Sequence, residues 1–449
     1  MNSLRCPSPA SVAAPHLRRA AVALLLGSIA LPAIATTPAT APVTPANNIY
    51  AQKILVANRP GFAPDAIIDE NLVNPWGIAL RPPGIGGHFW ISNAWSLNSS
   101  TYMGDVGGKA LYQDGLKVVH LEGPRMSYED GIANVTGQVY NAASDFPGQP
   151  VEFPVSGPAS DLTSGTPKSI GVSKGSAKFV FVTTDGTINA WRSGTKESMD
   201  TAPIVKDYSD HGKDKIAALP YIPAFTGVAM STLAKSANRL YVSDFQNKTI
   251  RVFDNQWKDI TGTVHFTLPK GMPDTYGPFN IQEIGGRLYV AYAELDLGSD
   301  EPGTDLPSPG AGRIVAYDLE GRILQEFADE GKLNSPWGVA IAPANFGPFS
   351  GSLLVGNFGD GTIAAFDLKT GKFQDFVRDS AGQPIFLDGL WGLAFGNGVS
   401  LGDTDSLYFA AGPNTEQDGI FGRLRYAGPA SETPKPTLAL ATSSQTASK

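Results

Sequence analysis

The chain has 449 residues, of which 42% are hydrophobic and 17% charged, with 50 Gly and 35 Pro. That usage favours short strands separated by turns over helices. A formal charge of −8 argues against nucleic acid as a partner.

The N-terminus reads as an export signal. Arg18 and Arg19 precede the apolar run AAVALLLGSIALPAIA, and Ala33-Ile34-Ala35 offers small residues at a cleavage site. The run is short and holds Pro32, so cleavage after Ala35 is expected instead of a membrane anchor. Either route of export is open, because the paired arginines lack the flanks of a strong twin-arginine signal. Cleavage removes Cys6, the single cysteine, and leaves 31 Lys and Arg against 42 Asp and Glu, a charge of −11. The expected product is a secreted or periplasmic monomer with no disulfide, no thiol nucleophile and no membrane span. Residues 36–48 read as a linker, 49–428 as one folded unit and 429–449 as a disordered polar tail.

That unit repeats a single pattern: a turn, an aromatic or apolar residue, a Gly, an apolar strand, then further strands. Six copies begin at NPWGIAL (74–80), PKSIGVS (167–173), AFTGVAM (224–230), GPFNIQE (277–283), SPWGVAI (335–341) and GLWGLAF (389–395). Their shared column is Gly77, Gly171, Gly227, Asn280, Gly338 and Gly392, at separations of 94, 56, 53, 58 and 54 residues. A period in the mid-fifties with several strands per copy predicts an all-β, six-bladed β-propeller with four-stranded blades. Gly in the column fits close backbone approach at the central channel, and Asn280 fits as a residue that tolerates unusual backbone angles.

Hairpin turns fall at Asp185-Gly186, Asn247-Lys248 and Asp360-Gly361, between the second and third strands. The long gap between the first two copies, roughly 104–166, reads as the outer strand of blade 1 plus an elaborated loop. The last copy shows only three strands, whereas Ile49 to Asn58 stands alone ahead of the first. That segment is expected to complete the last blade and close the ring, since an open ring would leave two free sheet edges.

YVSDFQNKTIRVFD resembles an NHL repeat. Together with LVNPWGIAL, VTTDGTINAW, LNSPWGVAIAPANFGPFSGSLLVGNFGDGTIAAFD and DGLWGLAFGNG, it is similar to a family of exported bacterial propeller proteins of undescribed activity. Some members carry a C-terminal Pro-Glu-Pro sorting anchor, which this tail lacks. The resemblance implies the fold and export, and no chemistry.

Candidate ligand residues follow from the blade pattern. Asn93, Asp185, Asp244, Glu294, Asn357 and Asn414 each stand just past an apolar second strand, one per blade, and would share a rim. Such oxygens suit a hard cation such as Ca²⁺. The set is similar to the gluconolactonase and regucalcin type of propeller, in which a Glu, an Asn and an Asp hold a divalent metal for lactone hydrolysis. The competing reading is that Asp and Asn at these places cap turns. The loop 295–312 concentrates Asp296, Asp300, Glu301 and Asp305 and could close over the mouth or hold Ca²⁺, although it lacks EF-hand spacing.

Of the histidines, only His211 is placed to reach the ligand face. A histidine base of the streptogramin lyase kind is therefore not expected, and no nucleophile elbow, HExxH pair or phosphate loop is present. Trp76, Trp337 and Trp391 are expected to pack between adjacent blades. No cofactor is evident from these residues beyond a divalent metal. The function expected is a ligand-binding or interaction scaffold for a small ligand, glycan or envelope protein; the alternative is a metal-assisted hydrolase of lactones or esters.

Overall fold

The computed structural model describes residues 44, 47–123, 134–145, 148–163, 167–194, 196–209, 221–231 and 237–428. The signal segment, the C-terminal tail and His211 lie outside these residues. Six sheets, antiparallel except for a short parallel strand at the outer edge of the first and of the last, follow one another in chain order, each with an inner strand beside a common axis. Those inner strands are Pro75–Ala79, Val135–Tyr140, Phe225–Met230, Tyr276–Ile284, Pro336–Ile341 and Leu390–Phe395.

Ring closure is visible in the contacts of the column residues. A Cβ on Gly77 would lie 2.8 Å from the carbonyl of Thr136 in blade 2, and one on Gly137 would lie 2.8 Å from Val228 N in blade 3. Gly227 meets Asn280, Gly338 meets the Trp391 carbonyl, and Gly392 meets the Trp76 carbonyl, which returns to blade 1. Asn280 completes the circuit by donating its side-chain N–H to the Trp337 carbonyl at 2.8 Å. Only a residue without a side chain, or one whose side chain replaces the backbone contact, fits this ring. Asn280 therefore stands there through its amide, in ordinary strand backbone, and not through an unusual φ.

The second inner strand corrects the sequence reading. Val135–Tyr140, not the segment at 167–173, forms it, and Gly137 takes the place expected for Gly171. Gly77 to Gly137 spans 60 positions and Gly137 to Gly227 spans 90, so the insertion lies inside blade 2. It forms a separate sheet from Pro154–Asp161, Lys168–Ser176 and Glu197–Met199. Gly171 sits in its exposed edge strand at φ 95° with open space around it. The insertion packs beside blade 3, where Trp257 Nε1 donates to the Pro154 carbonyl at 2.8 Å.

Blade 3 also departs from four strands. After Thr249–Phe253 only a bridge to Asp259 follows, and Val252 N donates instead to the Thr261 hydroxyl at 3.0 Å. The hydroxyl satisfies a donor that a fourth strand would otherwise take.

Blade 6 closes as expected. Ile49–Ala57 pairs antiparallel with Ile420–Gly428, and Ile67–Ile68 adds a short fifth strand. The closing strand also grips blade 5, because Tyr50 N donates to the Arg378 carbonyl and Tyr50 Oη to the Phe346 carbonyl, each at 2.8 Å. On the other side, Asp105 of blade 1 accepts from Tyr408 Oη at 2.6 Å and pairs with Arg423 at 2.5 Å. Burial of Tyr408 removes these charges from solvent screening, so the seam is held by more than ladder bonds.

Candidate functional site

A slip in the ladder decides what occupies the axis. In all six blades the register between the inner and second strands shifts by one residue at the position before the column, for example between Pro75 and Ile78 and between Pro336 and Val339. A bulge re-aims the side chain it carries. The residues concerned are Trp76, Thr136, Thr226, Phe279, Trp337 and Trp391.

The four aromatics among them converge in one buried layer with Phe245 and Phe358, whereas Thr136 donates its hydroxyl to the Val182 and Phe225 carbonyls. Trp76 stacks on Trp391 at 3.5 Å between centroids, and Phe358 stacks on its other face at 3.9 Å. Trp337 lies 5.9 Å from Trp76, and its Nε1 donates to the Thr226 carbonyl of blade 3 at 3.0 Å. The two Trp337 contacts join non-adjacent blades. The tryptophans thus fill the upper end of the channel, where the chain enters each inner strand, rather than only packing neighbouring blades together.

The expected rim residues lie around this end, and all but Asp185 are engaged within their own blade or the loop beside it. Asn93 is fully buried and donates to Asn98 Oδ1 at 2.7 Å and Ser100 Oγ at 2.9 Å. Asp244, also fully buried, pairs with Arg251 Nε at 2.9 Å and accepts from Asn247. Glu294 accepts from Thr275 at 3.2 Å. Asn357 donates to the Lys332 carbonyl and Thr362 and accepts from Asn334 N, bonds of a turn. The backbone N–H of Asn414 donates to Asp388 at 2.9 Å. Asp185 is different: burial alone pushes its carboxyl up to about 6, and its Oδ2 is buried without a partner. Among the described residues no group of three or more His, Cys, Asp or Glu side chains is placed to hold a metal ion.

The acidic loop touches the blades on either side of its own. Gly303 N donates to Gln246 of blade 3 at 2.7 Å, and the Asp305 carboxyl meets the Ser335 hydroxyl of blade 5. Asp300 and Glu301 stay exposed, and Asp296 caps its own turn through Gly298 N at 2.8 Å. Asp305 Oδ2 is buried, and burial pushes this carboxyl up to about 6, with Asp296 adding to the effect.

Within reach of its charge is a residue that the sequence did not single out. Glu416, in the loop PNTEQDG after the second strand of blade 6, is pushed up to about 7, first by burial and then by the charges of Asp305 and Glu301. Its carboxyl meets Asn74, whose Oδ1 accepts from Trp391 Nε1 at 3.0 Å. Glu416 is therefore tied to the aromatic layer through Asn74.

Backbone strain concentrates at the same point. Asn414, Thr415 and Glu416 run consecutively at φ 61°, 53° and 63°, while Asn74 and Ser335 stand at 46° and 44°, each just before a proline. These are five of the twelve non-Gly residues with positive φ among the described residues. Each such residue costs about 1–3 kcal/mol, and strain of this kind clusters where geometry is held for a purpose. Arg59 steadies the loop through a paired contact with Asp418 at 2.6–2.7 Å.

Below the aromatic layer the channel is a different space. A cavity of about 630 Å³ runs from the column ring to the loops after the inner strands, with Trp337 at its inner end. Its walls carry mostly aliphatic side chains.

With the architecture established, relatives can be compared. No protein-family model matches the chain. It is 30% identical to the uncharacterized protein R648 of Acanthamoeba polyphaga mimivirus over 394 residues, 86% of this chain and 83% of that one. The chain belongs to the R648 family. A second mimivirus protein, L690, is 38% identical over 190 residues, 42% of this chain and 49% of L690. These relatives are viral, whereas the sequence resemblance pointed to bacterial proteins. Among solved structures, the chain is similar to an α-L-arabinofuranosidase from Fusarium graminearum in complex with arabinobiose, at 13% identity and TM-score 0.46, over 84% of this chain and 98% of that one. It is also similar to virginiamycin B lyase from Staphylococcus aureus, at 13% identity and TM-score 0.41, over 84% and 99%.

Proposed function

We propose that this member of the R648 family is a ligand-binding propeller whose site is the upper end of the axis, and that its ligand is a small neutral polyhydroxyl compound, a sugar or glycan end. One observation carries the reading: Glu416, held in a strained loop of blade 6, is buried within reach of the charge of Asp305 from the blade 4 loop, far away in sequence. A carboxyl group near its own pKa both donates and accepts, which suits hydroxyl ligands. Location outside the cytoplasm remains part of the proposal and rests on Arg18, Arg19 and the apolar run after them. Kinship with exported bacterial propellers belongs to the same proposal.

Calorimetry with neutral mono- and oligosaccharides at pH 5.5, comparing the native chain with Glu416→Gln and Asp305→Asn, tests it. Binding that either variant weakens about tenfold, the scale of a lost hydrogen bond to a charged partner, supports the site. Binding that neither variant changes, or none to any sugar, removes it. A second reading is favoured by the raised proton affinity of both carboxyls, which could serve as acid and base in hydrolysis. Turnover of a glycoside, lactone or ester that both variants abolish would establish that reading instead.

A further inference from the structure

The lower part of the axis is used by nothing described so far. We propose that the channel below the aromatic layer is a second and separate binding site, for the single apolar chain of a slender amphiphile that enters from the lower face.

Size is the first argument. A volume of about 630 Å³ lies within the roughly 300–1,000 Å³ of small-molecule sites. From Gly77 to Leu80 the wall descends roughly 10 Å at about 3.3 Å per residue, before the prolines at 82 and 83 extend it. That shape accepts a chain and excludes a bulky fused-ring compound.

Chemistry is the second. Ile78, Val139, Val228, Ile281, Ile341 and Leu393 line the channel, and its two buried amides are committed to the protein. Gln138 Nε2 donates to the carbonyls of Gly77 and Trp90 at 2.8 and 2.6 Å, and its Oε1 accepts from Ser99 at 3.0 Å. Asn280 is bonded to Trp337 O. Polar side chains gather only near the lower loops, at Gln282 and Glu283, where a head group would rest. An apolar body with one polar end matches this distribution, and the indole of Trp337 at the closed end meets the tip of the chain.

The test uses dodecanoate below its micelle concentration, with dodecanol and dodecylammonium as arms that report the head-group preference. Calorimetry should show one molecule bound per chain. Val139 is half-buried in the channel wall, so Val139→Phe narrows the bore. That variant should weaken binding at least tenfold with an unchanged melting temperature. In the native chain, 11-bromoundecanoate should quench tryptophan emission by half or more, and 2-bromoundecanoate much less, because only the first carries bromine to the closed end. Equal quenching by the two isomers, or no saturable binding by any arm, would overturn the proposal. If Val139→Phe does not fold, the bromine comparison decides alone. Glu416→Gln should leave this binding unchanged, which separates its fate from that of the upper site.

Discussion

The two ends of the axis differ although the same six strands build both. At the upper end each strand slips by one residue, and in blades 1, 4, 5 and 6 the side chains so released meet as three indoles and a phenyl ring beneath strained, acidic loops. Toward the lower end the ladders run in register through Ile78, Val228 and Leu393, leaving an open bore between them. The lesson is local. One extra residue per strand decides whether a propeller axis is filled or hollow, and the column glycines mark where the change occurs.

Removing the filler should break that contrast with the largest effect. Trp391 is stacked on both faces and almost fully buried, so Trp391→Ala should cost about 3–5 kcal/mol in denaturant unfolding. A loss below about 1 kcal/mol would mean that the layer is loosely packed. A smaller effect concerns protons. Glu416 and Asp305 hold theirs in the folded state up to about 7 and 6, above the ordinary carboxylate range. Between about pH 4.5 and 7 the folded chain therefore binds more protons than the unfolded one, and stability falls as pH rises through this window. Glu416→Gln should flatten the fall in a melting series from pH 4.5 to 8; an unchanged slope would place the titration elsewhere, with Asp185 the next candidate. The smallest effect is expected at Arg59, which is half exposed beside Asp418. Arg59→Ala should leave the melting temperature nearly unchanged. A clear drop would show that this ion pair supports the strained loop.

Much of this architecture could be read from residues, and the failures have physical causes. Trp76-Gly77, Trp337-Gly338 and Trp391-Gly392 advertise the axis because an aromatic and a bare backbone are both required there. Blade 2 hides it, since Thr136 replaces the aromatic before Gly137 while the exposed strand 168–176 offers an imitation with Gly171. Closure by Ile49–Ala57 was legible as a missing strand at one end and a spare one at the other. Asp305 stood out within its acidic loop, but nothing local distinguishes Glu416. Its importance comes from a loop 111 positions away and from three φ angles that only coordinates reveal. The hollow bore was equally invisible, because aliphatic residues on inner strands read as ordinary core.

The sheet that joins Ile49–Ala57 to Ile420–Gly428 has a consequence for how the chain acquires its form. The earliest strand finds its partner only after some 360 intervening residues exist, so during synthesis five blades must assemble with both flanks of the arc still raw. Such distant pairing slows folding and prolongs exposure of sticky edges. A chain interrupted before Ile420 would therefore be not a slightly shorter ring but an open arc prone to self-association.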